Sequence, residues 1–128
     1  MAKKSAALIL VVEDDKFLLK ALSAKLKSSG FEVGTAVDGD EGLKFLAHNK
    51  PDLILLDLIM PKKNGFEFLE EARASKTLLK CPVVILTNLG QESDIKKGLD
   101  LGAQDYLVKT KFSLQQVVEM VNKYLEKK

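Results

Sequence analysis

Leu8-Ile9-Leu10-Val11-Val12-Glu13-Asp14-Asp15 begins with five apolar residues in unbroken succession and ends on three acids. A strand with one wet face alternates apolar and polar side chains, so an unbroken run marks a strand covered on both faces. Leu53-Ile54-Leu55-Leu56, after Pro51, and Val83-Val84-Ile85-Leu86, after Pro82, repeat the pattern. Tyr106-Leu107-Val108 is a shorter version, and residues 32–37 a weaker one. Helical periodicity fills the intervals. Leu18, Leu22 and Leu26, spaced by four, predict a helix that stops before Gly30. Asp38 opens a second, with Glu41 completing a capping box and Leu43, Leu46 and Ala47 facing inward. Residues 60–65 carry the turn chemistry of Pro61, Asn64 and Gly65, and Phe66, Leu69 and Ala72 then begin a third. Ile95 and Leu99 mark a short fourth helix weakened by glycine. Ser113 with Gln116 caps a fifth, whose apolar set is Leu114, Val117, Val118, Val121 and Leu125.

Five strands alternating with five helices predict an α/β fold, a doubly wound (βα)5 flavodoxin-like sandwich around a five-stranded parallel sheet. The strand order 2-1-3-4-5 is taken from that fold rather than read from the residues. The 128 residues suit a single domain spanning 1–128, with a core large enough to need no crosslink. One cysteine, Cys81, excludes an internal disulfide, and one histidine, His48, excludes the common zinc sites. No apolar run approaches the roughly 18 residues of a membrane span. The basic start, residues 1–7, leads into an apolar stretch that ends at Glu13, too early for a signal peptide. The expected location is the cytoplasm. Net charge is only +2 and the lysines are scattered, so direct nucleic-acid binding is not expected.

In open α/β sheets, ligands bind beyond the carboxyl ends of the strands. The residues at those ends are Glu13 and Asp14 after the first strand, Asp57 after the third, Thr87 after the fourth and Lys109 after the fifth. With the first and third strands adjacent, three carboxylates crowd one edge. Two unit charges about 4 Å apart repel by roughly 4 kcal/mol at an effective dielectric near 20. A cation must offset this, and an all-oxygen donor set with few protein ligands suits Mg²⁺. Mg²⁺ and Lys109 together would balance the three acids, and Thr87 offers a hydroxyl to a phosphoryl oxygen. In-line attack of an Asp57 oxygen on phosphorus is the chemistry such a site permits.

Four stretches together resemble the response-regulator receiver domain over nearly the whole chain. They are Leu10-Val11-Val12-Glu13-Asp14-Asp15, Leu55-Leu56-Asp57-Leu58-Ile59-Met60-Pro61 with Gly65, Ile85-Leu86-Thr87, and Gly102-Ala103-Gln104-Asp105-Tyr106-Leu107-Val108-Lys109. The resemblance implies that Asp57 accepts a phosphoryl group and that Glu13 and Asp14 bind Mg²⁺ with Asp57 and the backbone carbonyl of Ile59. It implies a helix-starting role for Asp15, phosphate contact by Lys109, and a coupled switch of Thr87 and Tyr106. The implied partners are a sensor histidine kinase or phosphotransfer protein, and an output protein reading the fourth helix, fifth strand and fifth helix. By the same resemblance the chain catalyses its own phosphorylation and slow dephosphorylation without being a turnover enzyme. Three departures from the family pattern stand out. Thr110 replaces a proline that often follows a cis peptide, a bond costing roughly 3–4 kcal/mol without proline. Ile59 and Leu89 stand where polar side chains often position attacking water. Met120 and Asn122 occupy a region of the last helix where DNA-binding relatives often place an arginine in a dimer contact.

Three rival functions fit the fold. A haloacid-dehalogenase-type phosphatase would want an acid two residues after the nucleophile, where Ile59 stands. A flavodoxin-like electron carrier wants hydroxyls and glycines after the first strand, and Glu13-Asp14-Asp15 would repel its phosphate. A pseudo-receiver would lack part of the acidic site.

Overall fold

The computed structural model describes residues 6–75 and 81–126. The start, residues 1–5, which the signal-peptide reading concerned, lies outside the described residues. In chain order the elements are β1 (Leu8–Val12), α1 (Lys16–Ser28), β2 (Glu32–Ala36), α2 (Gly39–His48), β3 (Leu53–Leu56) and α3 (Gly65–Ala74). β4 (Val83–Thr87), α4 (Glu92–Asp100) and β5 (Asp105–Val108) follow, then a single 3-10 turn (Lys109–Lys111) and α5 (Leu114–Glu126). The strands form one parallel sheet in the order β2-β1-β3-β4-β5.

Period-two alternation sends neighbouring strand residues to opposite faces, and here both faces are dry. Leu10, Val12, Ile54, Leu56, Val83 and Ile85 pack with Leu46 of α2 and Phe68, Leu69 and Ala72 of α3. Ile9, Val11, Leu53, Leu55, Val84, Leu86 and Leu107 pack on the other face with Leu22 and Leu26 of α1 and Val117, Val118 and Val121 of α5. All four β3 residues are buried, and each such Leu or Ile is worth about 1.5–3 kcal/mol. The central strands are therefore a stiff platform for whatever stands at their ends.

Most helices begin where a side chain serves the free N–H groups of the first turn. Asp15 caps α1, accepting from the N–H groups of Phe17 (3.0 Å) and Leu18 (3.2 Å). Ser113 and Gln116 close a reciprocal box on α5, at 3.1 and 2.8 Å. At α2 the pairing is offset. Asp38 accepts from the Glu41 N–H (2.8 Å), but the Glu41 carboxylate accepts from Val37 and not from the cap residue itself. Asn64 and Glu67 form a box that opens α3 at Gly65, inside the segment expected to be turn.

Burial departs from expectation in two helices. Ala47 of α2 is exposed, with Leu46 buried and Leu43 half-buried. Leu99 of α4 is 43% exposed and the buried position is its neighbour, Gly98. Gly30 and Gly102 end α1 and α4 with φ of 98° and 100°, the left-handed turn that favours glycine. No cis peptide occurs among the described residues, so Thr110 continues from Lys109 through the 3-10 turn.

Candidate functional site

Strand register builds the site. Val12 pairs with Leu56, and the Asp57 N–H donates to the Val12 carbonyl at 2.9 Å. Glu13, one residue past β1, donates its N–H to the Ala36 carbonyl, also at 2.9 Å. Both acids are thus fixed by ladder hydrogen bonds at the carboxyl edge. They are almost fully buried, at 3% exposure for Glu13 and 5% for Asp57, whereas Asp14 is exposed. Glu13, Asp14 and Asp57 can each present a carboxylate oxygen within 4.8 Å of the others.

Lys109 enters from the end of β5. Its ammonium lies 2.7 Å from Glu13 Oε1 and 3.1 Å from Asp57 Oδ2, bridging the two buried carboxylates. The other Asp57 oxygen, Oδ1, accepts from the backbone N–H groups of Leu58 (2.7 Å) and Ile59 (3.3 Å). These bonds set the carboxylate plane and leave Oδ2 toward the cation. Burial pushes the Glu13 carboxyl up to about 7, against the opposing pull of Lys109 and the Asp15 N–H. Burial works against the charged form of Lys109 too. Its hydrogen bond to Glu13 and the Asp57 charge outweigh that and hold its pKa above the usual lysine value. One ammonium is too little charge for this cluster, and an all-oxygen donor set of this kind fits a hard divalent cation.

The cleft has a volume of about 220 Å³ and is lined by Glu13, Asp14, Asp15, Asp57, Ile59, Asn88 and Lys109. Asp15 lies at its rim with its side chain committed to the α1 cap. Thr87 ends β4 fully buried, and its Oγ1 has no hydrogen-bond partner among the described residues. A buried unpaired hydroxyl costs about 1–3 kcal/mol and calls for an explanation. Tyr106 is half-buried, and its hydroxyl donates to the Leu89 carbonyl at 2.6 Å. Burial, with the charges of Asp94 and Asp57, pushes that hydroxyl up to about 12.

The structure therefore brings Glu13, Asp14, Asp57, Ile59 and Lys109 to one cleft. It separates the two positions expected to govern water. Ile59 lies on the rim, 53% exposed, while Leu89 packs against the core and lends its carbonyl to Tyr106. Asn88 is a cleft residue the strand-end reading passed over. Carrying the register one place beyond Thr87 would have found it.

A family model for the response regulator receiver domain matches residues 9–122. This chain belongs to that family. Among relatives, the receiver is 42% identical over 101 residues to the transcriptional regulatory protein DltR of Streptococcus agalactiae, covering 79% of this chain and 44% of DltR. It is 40% identical over 119 residues to the alkaline phosphatase synthesis transcriptional regulatory protein PhoP of Bacillus subtilis, covering 93% and 48%. The chain thus spans about half the length of the curated relatives it matches. Its structure resembles the Francisella response regulator 1452 receiver domain with a TM-score of 0.87 and 30% identity, over 94% of this chain and 98% of that one. A CheY-like receiver from Methanospirillum hungatei gives 0.89 and 26% identity over 96% of each. No helix among the described residues is long and apolar enough to cross a membrane.

Proposed function

We propose that residues 1–128 act as one receiver domain that takes a phosphoryl group on Asp57 from a histidine kinase or phosphotransfer protein. The carrying observation is the cluster of Glu13, Asp14 and Asp57 within 4.8 Å, with Lys109 bridging two of them. Asp57 Oδ2 is the nucleophile, because Oδ1 is held by two backbone N–H groups. Its attack forms an O–P bond as the P–N bond of the donor phosphohistidine breaks, and the released imidazole nitrogen takes a proton. Mg²⁺, held by the carboxylates of Glu13, Asp14 and Asp57 and the Ile59 carbonyl, would offset charge on the phosphoryl oxygens. Lys109 moves its donor bond from the esterified Asp57 oxygen to a phosphoryl oxygen. Thr87 gives its unpaired hydroxyl to another.

Tyr106 completes the switch. A switch coupled to Thr87 would turn the ring inward on phosphorylation, and here the hydroxyl already reaches the Leu89 carbonyl. Phosphorylation then fixes a position the ring can occupy beforehand, through Thr87, and presents the face of α4, β5 and α5 to an output protein. The chain is a cytoplasmic signalling module without direct nucleic-acid contact, and it catalyses only its own labelling and slow release. Intact mass after incubation with an acyl phosphate, with and without Mg²⁺, tests this. Wild type should gain one phosphoryl mass only with Mg²⁺, and Asp57→Asn should gain none while keeping the wild-type circular dichroism. Labelling of Asp57→Asn at the wild-type rate would remove Asp57 from the reaction.

A further inference from the structure

Gly98 is the one buried residue among the nine of α4. Glycine inside a helix costs about 1 kcal/mol relative to alanine, so its presence here calls for a reason. A Cβ at Gly98 would lie 2.6 Å from Ile85 Cδ1, and 3.2 and 3.3 Å from Cδ2 and Cε2 of Tyr106. Carbons settle at about 3.5–4.0 Å, so a methyl at Gly98 would overlap Ile85 Cδ1 and crowd the Tyr106 ring as well. The far end of that ring is tied by its hydroxyl to the Leu89 carbonyl.

A methyl at this point must displace the helix, Ile85 or Tyr106. The helix is tied to α3 at two places. Arg73 donates from Nε to the Leu101 carbonyl and from Nη2 to the Gly102 carbonyl (2.8 Å), and the Lys97 ammonium lies 4.4 Å from the centre of the Phe66 ring. Ile85 is fully buried, so its movement meets close-packed core on every side. Tyr106 is half-buried and has solvent on one side. It is the group with somewhere to go.

We propose that Gly98 is a positioning residue for Tyr106: its missing side chain lets the ring lie beneath α4, and a methyl there presses the ring away from the helix and strains its bond to the Leu89 carbonyl. The consequence for signalling rests on the switch role proposed above for Tyr106. The steric relation holds without it.

Fluorine NMR of the full chain, carrying 3-fluorotyrosine and not phosphorylated, reads the ring directly. Tyr106 and Tyr124 are the two tyrosines, and a Tyr124→Phe variant assigns them. Gly98→Ala should shift the Tyr106 resonance toward that of free fluorotyrosine, raise its H2O/D2O isotope shift, and leave Tyr124 unmoved. A folded Gly98→Ala with an unchanged Tyr106 resonance overturns the proposal, because the helix or Ile85 has yielded instead. If Gly98→Ala does not fold, the double variant Gly98→Ala/Ile85→Val removes the nearest carbon. It should fold with Tyr106 still displaced, and a wild-type Tyr106 signal there overturns the proposal equally. Gly98 does not line the cleft, so phosphoryl labelling of Gly98→Ala should stay within about twofold of wild type. Failure of wild type itself to be labelled would sink the Asp57 reading and leave the tyrosine result standing.

Discussion

Helices α3 and α4 lie on the same side of the sheet and are built to opposite standards. α3 opens with the Asn64–Glu67 capping box and buries Gly65, Phe68, Leu69 and Ala72. α4 starts at Gln91 with no side-chain cap and buries only Gly98. The difference follows what each helix carries. The loop after Asp57 runs directly into α3, and the Gly65 N–H donates to the Leu58 carbonyl at 3.1 Å, so anchoring α3 also anchors the acid. α4 follows Thr87 and covers Tyr106, the side chains whose rearrangement would carry the signal. A receiver needs its phosphoryl acceptor fixed and its reporting side chains free to move, so α4 is tied to α3 by Arg73 and Lys97 yet buries little surface of its own.

Truncation should expose this division most strongly. Phe68→Ala, at a fully buried α3 position, should lose about 3–5 kcal/mol in urea unfolding. Ile95→Ala, at a half-buried α4 position, should lose less than about 2 kcal/mol. Equal losses would mean that the two helices share one cooperative unit. A smaller effect is expected from supplying the missing cap. Gln91→Asp should stabilise α4 by about 1 kcal/mol, seen as roughly fivefold slower amide exchange confined to that helix. If exchange slows equally in α3, α4 does not open by itself. The smallest change concerns the entry to α3. Lys62 has φ of 63°, a left-handed conformation unfavourable for a residue with a Cβ. Lys62→Gly should raise stability by about 0.5 kcal/mol, glycine's freedom in the unfolded chain offsetting part of the gain. A lower melting temperature would show that the lysine side chain contributes more than its backbone costs.

The anchored half of the molecule was the more legible in sequence. Unbroken apolar runs announced β1, β3 and β4 because burial on both faces removes the polar residues that would interrupt them. Asp38 and Ser113 were readable as helix starts because a cap bonds within a few residues of itself, whereas the same role for Asp15 came from the family resemblance. The cleft residues were readable because a parallel sheet gathers its strand ends at one edge. The responsive half depends on long-range contacts, which leave no local pattern. Arg73 reaches carbonyls 28 and 29 residues away. Gly98 looked like a defect in a weak helix until the Tyr106 ring was found beneath it. Leu89 stood at the expected position by count, yet its side chain turns to the core and only its carbonyl serves the neighbouring tyrosine.

The unpaired hydroxyl of Thr87 bears on how long the chain survives as well as on what it signals. An anion that accepts a hydrogen bond from it relieves a desolvation cost of about 1–3 kcal/mol and lowers the equilibrium population of opened forms. Proteases act on those forms when opening and closing are fast relative to cleavage. The domain would then resist proteolysis better with its cleft occupied than empty.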